Sequence, residues 1–318
     1  MNETRLQDVS VEISPSSVLA PVCKICGGES RFVCTNPNTH GPVPWIHTFR
    51  CIECGIAFVG NQLDDSDLSE VYSSDGLDEY YDEIRSTNQL KYLTAAAAVD
   101  VLLPAQSGHV LDIGCGNGEF AEILLRRCYH VSVHDVPEMN LDHLRRLGIA
   151  TYQDSDWSAL PDDRFDVITL LDVAEHVLRP SRLFQECHRS LKPGGVFYFH
   201  TPVVTRLDRL TQYLCRAPLV GKIARVWQRG RVNIIHLQNY TRPALLELLA
   251  NAGFEDANVS IRNELSWPVS RYVRVHLCEK HGLPPFLATI FAPLLSLVLK
   301  HPFLNGNKAI VTAVRPNQ

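Results

Sequence analysis

Val110-Leu111-Asp112-Ile113-Gly114-Cys115-Gly116-Asn117-Gly118-Glu119 constrains the fold more than any other stretch of this 318-residue chain. An apolar run reads as a strand, three alternating glycines as a turn, and Phe120–Arg127 as an amphipathic helix. Glycines there let a ligand lie against bare backbone at the carboxyl edge of a parallel sheet. The alternation continues on both sides. Strands are expected at His109–Ile113, His130–His134, Ala150–Gln153 (the weakest), Phe165–Leu171, Val196–His200, Ala257–Ile261 and Lys308–Val314. Helices Leu141–Leu147, Ser181–Leu191 and Pro243–Ala252 fall between them. This pattern predicts a doubly wound α/β fold, a mainly parallel seven-stranded sheet covered on both faces.

The glycine turn does not suit a dinucleotide. That fingerprint places its last glycine where Glu119 stands, and the third glycine here is Gly118. Asp112 and Glu119 would repel a pyrophosphate at the helix start, whereas they suit a ligand carrying an ammonium and a sulfonium. Val110–Gly118 resembles the first motif of class I S-adenosylmethionine-dependent methyltransferases, which have a Rossmann-like fold. The resemblance implies that Gly114, Cys115, Gly116 and Gly118 pack against the methionine part of the cofactor, braced by Asp112. It also gives Asp135, 17 residues after Gly118, the two ribose hydroxyls. Leu160-Pro161-Asp162-Asp163-Arg164-Phe165-Asp166 is similar to the family's segment beside adenine, so Asp156 would accept from the adenine amino group next to Trp157, with Asp154 a close competitor. Leu171, ending the fourth strand, is assigned to the same pocket, and Leu191-Lys192-Pro193-Gly194-Gly195 matches the family's turn before the fifth strand. Residues 109–202 carry the resemblance tightly, and Tyr240–Phe254 more loosely.

Cys23-Lys24-Ile25-Cys26-Gly27 and Cys51-Ile52-Glu53-Cys54-Gly55 are two copies of one turn, 24 residues apart. Two residues between thiols let one turn offer both sulfurs to a single tetrahedral ion, and two such turns close a structural four-thiolate site. Zinc is the expected ion, with iron or a pair of disulfides as the other readings. Cys34, His40 and His47 read as loop residues, because the set of four is already complete. The domain reading is a polar tail (1–22), a zinc-ribbon-like module (23–60), an acidic linker (61–85) and a methyltransferase domain (86–318).

Leu170-Leu171-Asp172-Val173-Ala174-Glu175-His176-Val177 leaves the fourth strand where its carboxyl end lines the cleft. It is similar to the Glu-x-x-Glu-His stretch of the ubiquinone-pathway O-methyltransferases, with Asp172 replacing the first Glu. Three readings stand. Asp172, Glu175 and His176 bind Mg²⁺ or Mn²⁺; His176 acts as general base or positions the acceptor; or Glu175 and His176 merely open a helix. His200, ending the fifth strand, and His236, in Ile234-Ile235-His236-Leu237-Gln238-Asn239-Tyr240-Thr241, are further candidate bases. Cys115 and Cys187 also read as packing residues.

Thirty basic against 35 acidic side chains, a formal charge of −5, argues against an electrostatically driven nucleic-acid binder. One insertion, 205–235, runs against that balance: Arg206, Arg209, Arg216, Lys222, Arg225, Arg229 and Arg231 accompany the single acid Asp208. It falls where relatives carry a lid, and reads either as a solvated helix face or as a grip on a phosphate-bearing acceptor. A second insertion, 282–300, is apolar and interrupted by three prolines. It is marginal for a span and reads as a buried or homodimer-forming helix, or as a peripheral membrane contact. Met1–Ser10 is polar, without the apolar core of a leader, so the expected location is the cytoplasm, free or against the inner membrane face. The resemblance implies a methyltransferase acting on a small-molecule or saccharide acceptor, most simply at oxygen. Sugar C-methylation, RNA methylation and a non-catalytic cofactor-binding scaffold are the alternatives.

Overall fold

The computed structural model describes residues 20–38, 42–72, 77–103, 108–218, 220–264, 293 and 296–317, with the backbone alone for 77–87. The elements in chain order are strands β1 (Ser30–Pro37), β2 (Trp45–Cys51) and β3 (Ala57–Val59), then helices α1 (Asp65–Tyr72) and α2 (Leu77–Leu102). Next come β4 (His109–Ile113), α3 (Glu119–Arg126), β5 (His130–Asp135), α4 (Asp142–Arg146), β6 (Ala150–Gln153) and β7 (Phe165–Leu171). A single 3-10 turn (Ala174–His176), α5 (Pro180–Ser190) and β8 (Leu191–Pro202) follow, then α6 (Arg206–Leu214) and α7 (Gly221–Arg231). The chain closes with β9 (Gln238–Asn239), α8 (Arg242–Asn251), β10 (Glu255–Arg262), a helical turn at Pro302–Asn305 and β11 (Lys308–Val314).

Seven strands form one sheet in the order β10-β11-β8-β7-β4-β5-β6. β4 runs parallel to β5 and β7, and β7 parallel to β8, while β11 enters antiparallel between β8 and β10. Val131, Ser132, Val133 and His134 of β5 are buried in succession, as expected of a parallel strand covered on both faces. One face carries Phe165, Phe184, Phe197 and Phe199, with the Phe184 ring edge-on to Phe199 at 5.2 Å. The other carries Phe120, Ala121 and Leu124 of α3 with Ala95, Ala96 and Val99 of α2. Phe120 and Leu124 lie four apart on one helix stripe.

A second sheet, β1-β2-β3-β9, departs from a self-contained module. Its first three strands come from the cysteine-rich region, but its fourth is Gln238–Asn239, pairing with Phe58 and Ala57. Cys23, Phe49, Cys51, Cys54, Ile56 and Phe58 share one buried cluster with Tyr240, Ala244 and Leu245. The region expected as a linker, 61–85, carries α1 and the start of α2. Its acids are the reason: Asp64 Oδ1 accepts from the backbone amides of Ser66 (2.9 Å) and Asp67 (3.1 Å), which caps a helix rather than solvating a loop.

Thr205 and Asp208 form a reciprocal capping box at the start of α6. The buried Asp208 carboxylate also accepts from Trp227 Nε1 (2.7 Å) and pairs with Arg231 (3.1 Å), locking α7 onto α6. Arg216 donates to the Phe32 carbonyl at 2.8 Å, and Cys215 and Ala224 pack on Val33 and Cys34, so α6 and α7 rest on β1. The N-terminal tail and the apolar insertion lie almost wholly outside the described residues. No helix among the described residues is long and apolar enough to cross a membrane.

Candidate active site

The glycine turn joins β4 to α3. Gly114 (φ +70°) and Gly118 (φ +81°) adopt the left-handed conformation. A Cβ on them would lie 2.3 Å from Val173 Cγ2 and 2.5 Å from Leu144 Cδ2, so both sterics and backbone demand glycine. Asp135, at the end of the neighbouring β5, accepts from the amides of Gly116 (2.7 Å) and Val136 (2.8 Å). Burial raises its carboxyl and those two amides oppose the rise. A carboxylate offers about four lone-pair sites, leaving two for other donors. Asp112 sits lower, 3% exposed, accepting from Thr169 Oγ1 at 2.9 Å on β7. Burial pushes it up to about 7. Cys115 is buried against the α3 side of the sheet.

Beyond β6 the chain makes a tight loop organised by Asp154. Its carboxylate meets His134 Nε2 at 3.0 Å and accepts from the amides of Trp157 (2.5 Å) and Ala159 (2.7 Å). Burial alone would raise it, but His134 and these amides win and hold it below the usual carboxylate range. Asp156 faces outward, paired with Arg182 at 2.8 Å, while Trp157 (φ +60°) tucks into the core.

The acceptor side is assembled from distant segments. Asp172 (φ +65°) pairs with Lys91 of α2 at 3.1 Å and with Lys308 of β11. Burial would raise its carboxyl, but the two ammonium groups outweigh it and keep Asp172 ionised. The expected trio of Asp172, Glu175 and His176 therefore does not form: Asp172 is neutralised by lysines, and His236 joins Glu175 and His176 instead. Their ligand-type atoms all lie within 4.8 Å of one another. The His176 and His236 rings meet edge-on at 4.9 Å. His176 Nδ1 lies 2.7 Å from the Ile235 carbonyl, which can only accept, so the proton is on Nδ1 and Nε2 keeps its lone pair. Glu175 Oε2 accepts from Thr201 Oγ1 at 2.9 Å, and burial, then the Asp172 charge, push Glu175 up to about 8. Burial lowers His176 and takes His236 down to about 3. His200 lies apart, 1% exposed, with Nε2 2.6 Å from Tyr198 Oη, and burial lowers it to about 4. Lys91 of α2, Lys308 of β11 and Tyr198 and Thr201 of β8 carried no motif, and residues this scattered give the sequence nothing to flag.

Cys23 and Cys54 bring their sulfurs to 3.6 Å, Cys26 and Cys51 to 3.5 Å, and none is disulfide-bonded. These separations suit four thiolates about 2.3 Å from one ion and exclude S–S bonds. His47 is turned to Thr35 and Cys34 to the lid, so neither joins the set. His40 lies outside the described residues.

A seven-stranded sheet with β11 inserted antiparallel, a glycine turn after its first parallel strand and an acid ending the next one define the class: an S-adenosylmethionine-dependent methyltransferase fold. Residues 84–259 match the methyltransferase-domain family, and the chain belongs to it. The ubiquinone biosynthesis O-methyltransferase of Coxiella burnetii is 38% identical over 101 residues, 29% of this chain and 43% of that protein. Its counterpart in Azotobacter vinelandii is 37% identical over 100 residues, again 29% and 43%. The chain thus spans less than half the length of these relatives. Phosphoethanolamine N-methyltransferase 2 of Haemonchus contortus, solved with phosphomonomethylethanolamine and S-adenosylhomocysteine, superimposes with a TM-score of 0.53 at 17% identity, over 91% of this chain and 70% of that one. This likeness concerns the fold.

Proposed function

We propose that the protein transfers a methyl group from S-adenosylmethionine to a hydroxyl oxygen of a small-molecule or saccharide acceptor. One observation carries the reading: Gly114 of the cofactor turn abuts Val173, so the Gly114–Gly118 turn is directly against the Asp172–His176 loop. Donor and acceptor sites adjoin at the carboxyl ends of β4 and β7, the edge where open α/β sheets bind ligands. Asp135 would hold the ribose hydroxyls and the Gly114–Gly118 turn the methionine part. Asp156 or Asp154 would accept from the adenine amino group. When bound, the cofactor supplies an electrophilic methyl on sulfur. His176 is the general base: Ile235 fixes its tautomer, burial keeps it neutral, and Nε2 takes the hydroxyl proton as oxygen attacks. Asp172, ionised between its two lysines, anchors the start of the loop that carries His176. His236 orients the His176 ring, and His200 braces β8 beneath Asp172.

Cys23, Cys26, Cys51 and Cys54 would hold a zinc ion in a closed, structural role. The paired sulfurs at 3.5–3.6 Å support this reading. The test is a transfer assay with methyl-labelled cofactor over nucleotide sugars, phenols and RNA. Label on a hydroxyl of the small acceptors is the expected result. Label only on RNA, or on no acceptor despite tight cofactor binding, would refute it.

A further inference from the structure

Most arginines of the described residues are compensated. Arg231 pairs with Asp208, Arg179 with Asp65, Arg182 with Asp156, and Arg189 with Glu186 and Asp162. Arg216 and Arg225 donate to carbonyls. Several others have no carboxylate partner among the described residues, but Arg31, Arg50 and Arg209 are the three that the fold brings together. Arg31 and Arg50 stand directly opposite each other on β1 and β2, so their side chains share one face. The neighbouring opposed pair, Phe32 and Phe49, packs edge-on at 5.6 Å on the other face. On the unbroken strand β2, Thr48 shares the face of Arg50 and stands opposite Cys34, which lies in the cluster beneath α6 and α7, so the arginine face is the face those helices cover. Arg209, exposed on α6, the helix that packs on β1, adds the third guanidinium; burial, and then the Arg209 and Arg31 charges, lower the Arg50 pKa. Among the described residues no carboxylate pairs with any of the three.

Like charges directly opposite on a sheet are unfavourable, and here a third is brought over them in a chain of net charge −5. We propose that Arg31, Arg50 and Arg209 form a binding subsite for a phosphate or diphosphate group carried by the methyl acceptor. The inference rests on the acceptor site lying at the rim beneath α6, and deepens that reading by naming the acceptor's chemical class. Guanidinium forks match phosphate oxygens two at a time, and a group with two or more negative charges offsets all three cations. α6 starts four residues after β8 ends, at the same carboxyl edge of the sheet as the Asp172–His176 loop.

Calorimetry on the whole zinc-loaded chain with inorganic pyrophosphate tests this. The wild type should bind, more weakly as salt rises, and Arg209→Gln and Arg50→Ala should each lose about tenfold in affinity or more. Arg126→Ala, removing an exposed arginine already paired with Glu122 on α3, should change nothing. Arg209 is exposed on a helix surface, so its variant keeps the test valid if Arg50→Ala fails to fold. No binding by the wild type, or undiminished binding by Arg209→Gln, would overturn the subsite. S-adenosylhomocysteine titrated into the same samples separates the two readings: its failure to bind would refute the methyltransferase assignment and leave the pyrophosphate result standing.

Discussion

The cofactor corner and the acceptor rim are built on opposite principles. The corner is local: β4, the glycine turn, α3 and the end of β5 follow one another between His109 and Asp135, and their contacts are mostly backbone to backbone or backbone to carboxylate. The rim draws Lys91 from α2, Asp172–His176 from the loop after β7, His200 from β8, His236 from beyond the lid and Lys308 from β11. The cysteine-rich region enters only on the rim side. β3 pairs with β9 immediately after His236, the Leu237 amide donates to the Glu175 carbonyl, and Gln238 Nε2 donates to the carbonyls of Ala174 and Val177. The four-cysteine module therefore braces the turn that carries Glu175 and His176. What is locally encoded can be reused in many chains; what is assembled at long range is particular to this one.

The largest expected effect comes from removing the zinc. Because the cysteines share a buried cluster with Tyr240 and α8, chelation should lower the melting temperature of the whole chain in one transition, by about 10 °C or more, and abolish turnover. Calorimetry decides it: a separate small transition, with the main one unmoved, would mean the module folds by itself. Next is His176→Ala, expected to reduce kcat by about 10²–10⁴-fold with the affinity for S-adenosylhomocysteine unchanged. His236→Ala should cost less and His200→Ala least. Equal rates in all three variants would remove the base from this cluster. Asp135→Ala reverses the pattern, weakening S-adenosylhomocysteine by about 10–100-fold through the loss of hydrogen bonds to a charged acceptor. Any selective effect of Asp135→Ala on acceptor KM would blur the division between corner and rim.

The same division explains what could be read in advance. Seven strands, their helices and the glycine turn were legible because burial periodicity and glycine spacing are local properties of the chain. The four cysteines were legible because ligand spacing is local within each turn. The strand-like runs Trp45–Arg50 and Ile56–Val59 became β2 and β3, but β1, whose Ser30–Pro37 alternation is broken by a bulge between Phe32 and Cys34, and β9, two residues long and defined only by its partner, escaped. The Asp172-Glu175-His176 trio failed for a related reason. Sequence adjacency put the acid beside the imidazole, but lysines from α2 and β11 claimed Asp172, and His236 arrived from sixty residues downstream.

The smallest expected effect is also the most specific to the rim. Glu175 is 1% exposed, and its folded-state pKa lies near 8, raised from an ordinary value of about 4.5. A raised folded pKa means the native state binds the proton more tightly than the unfolded chain does. Its stabilising contribution is complete below about 4.5 and is lost as pH rises toward 8. His200 and His236, with folded values near 4 and 3, act in the opposite sense: their contribution is present above the ordinary histidine value and lost as pH falls through it toward 4 and 3. The raw pH profile of the wild type thus mixes the two. Glu175→Gln separates them, since glutamine keeps the acceptor for Thr201 and removes the titration. The stability of the variant relative to wild type should rise by roughly 2–4 kcal/mol between pH 5 and pH 8, measured by urea unfolding at each pH. A difference that stays flat over that interval would place the Glu175 carboxyl in contact with water, and the rim would then be an open surface rather than a dry pocket able to keep His176 neutral.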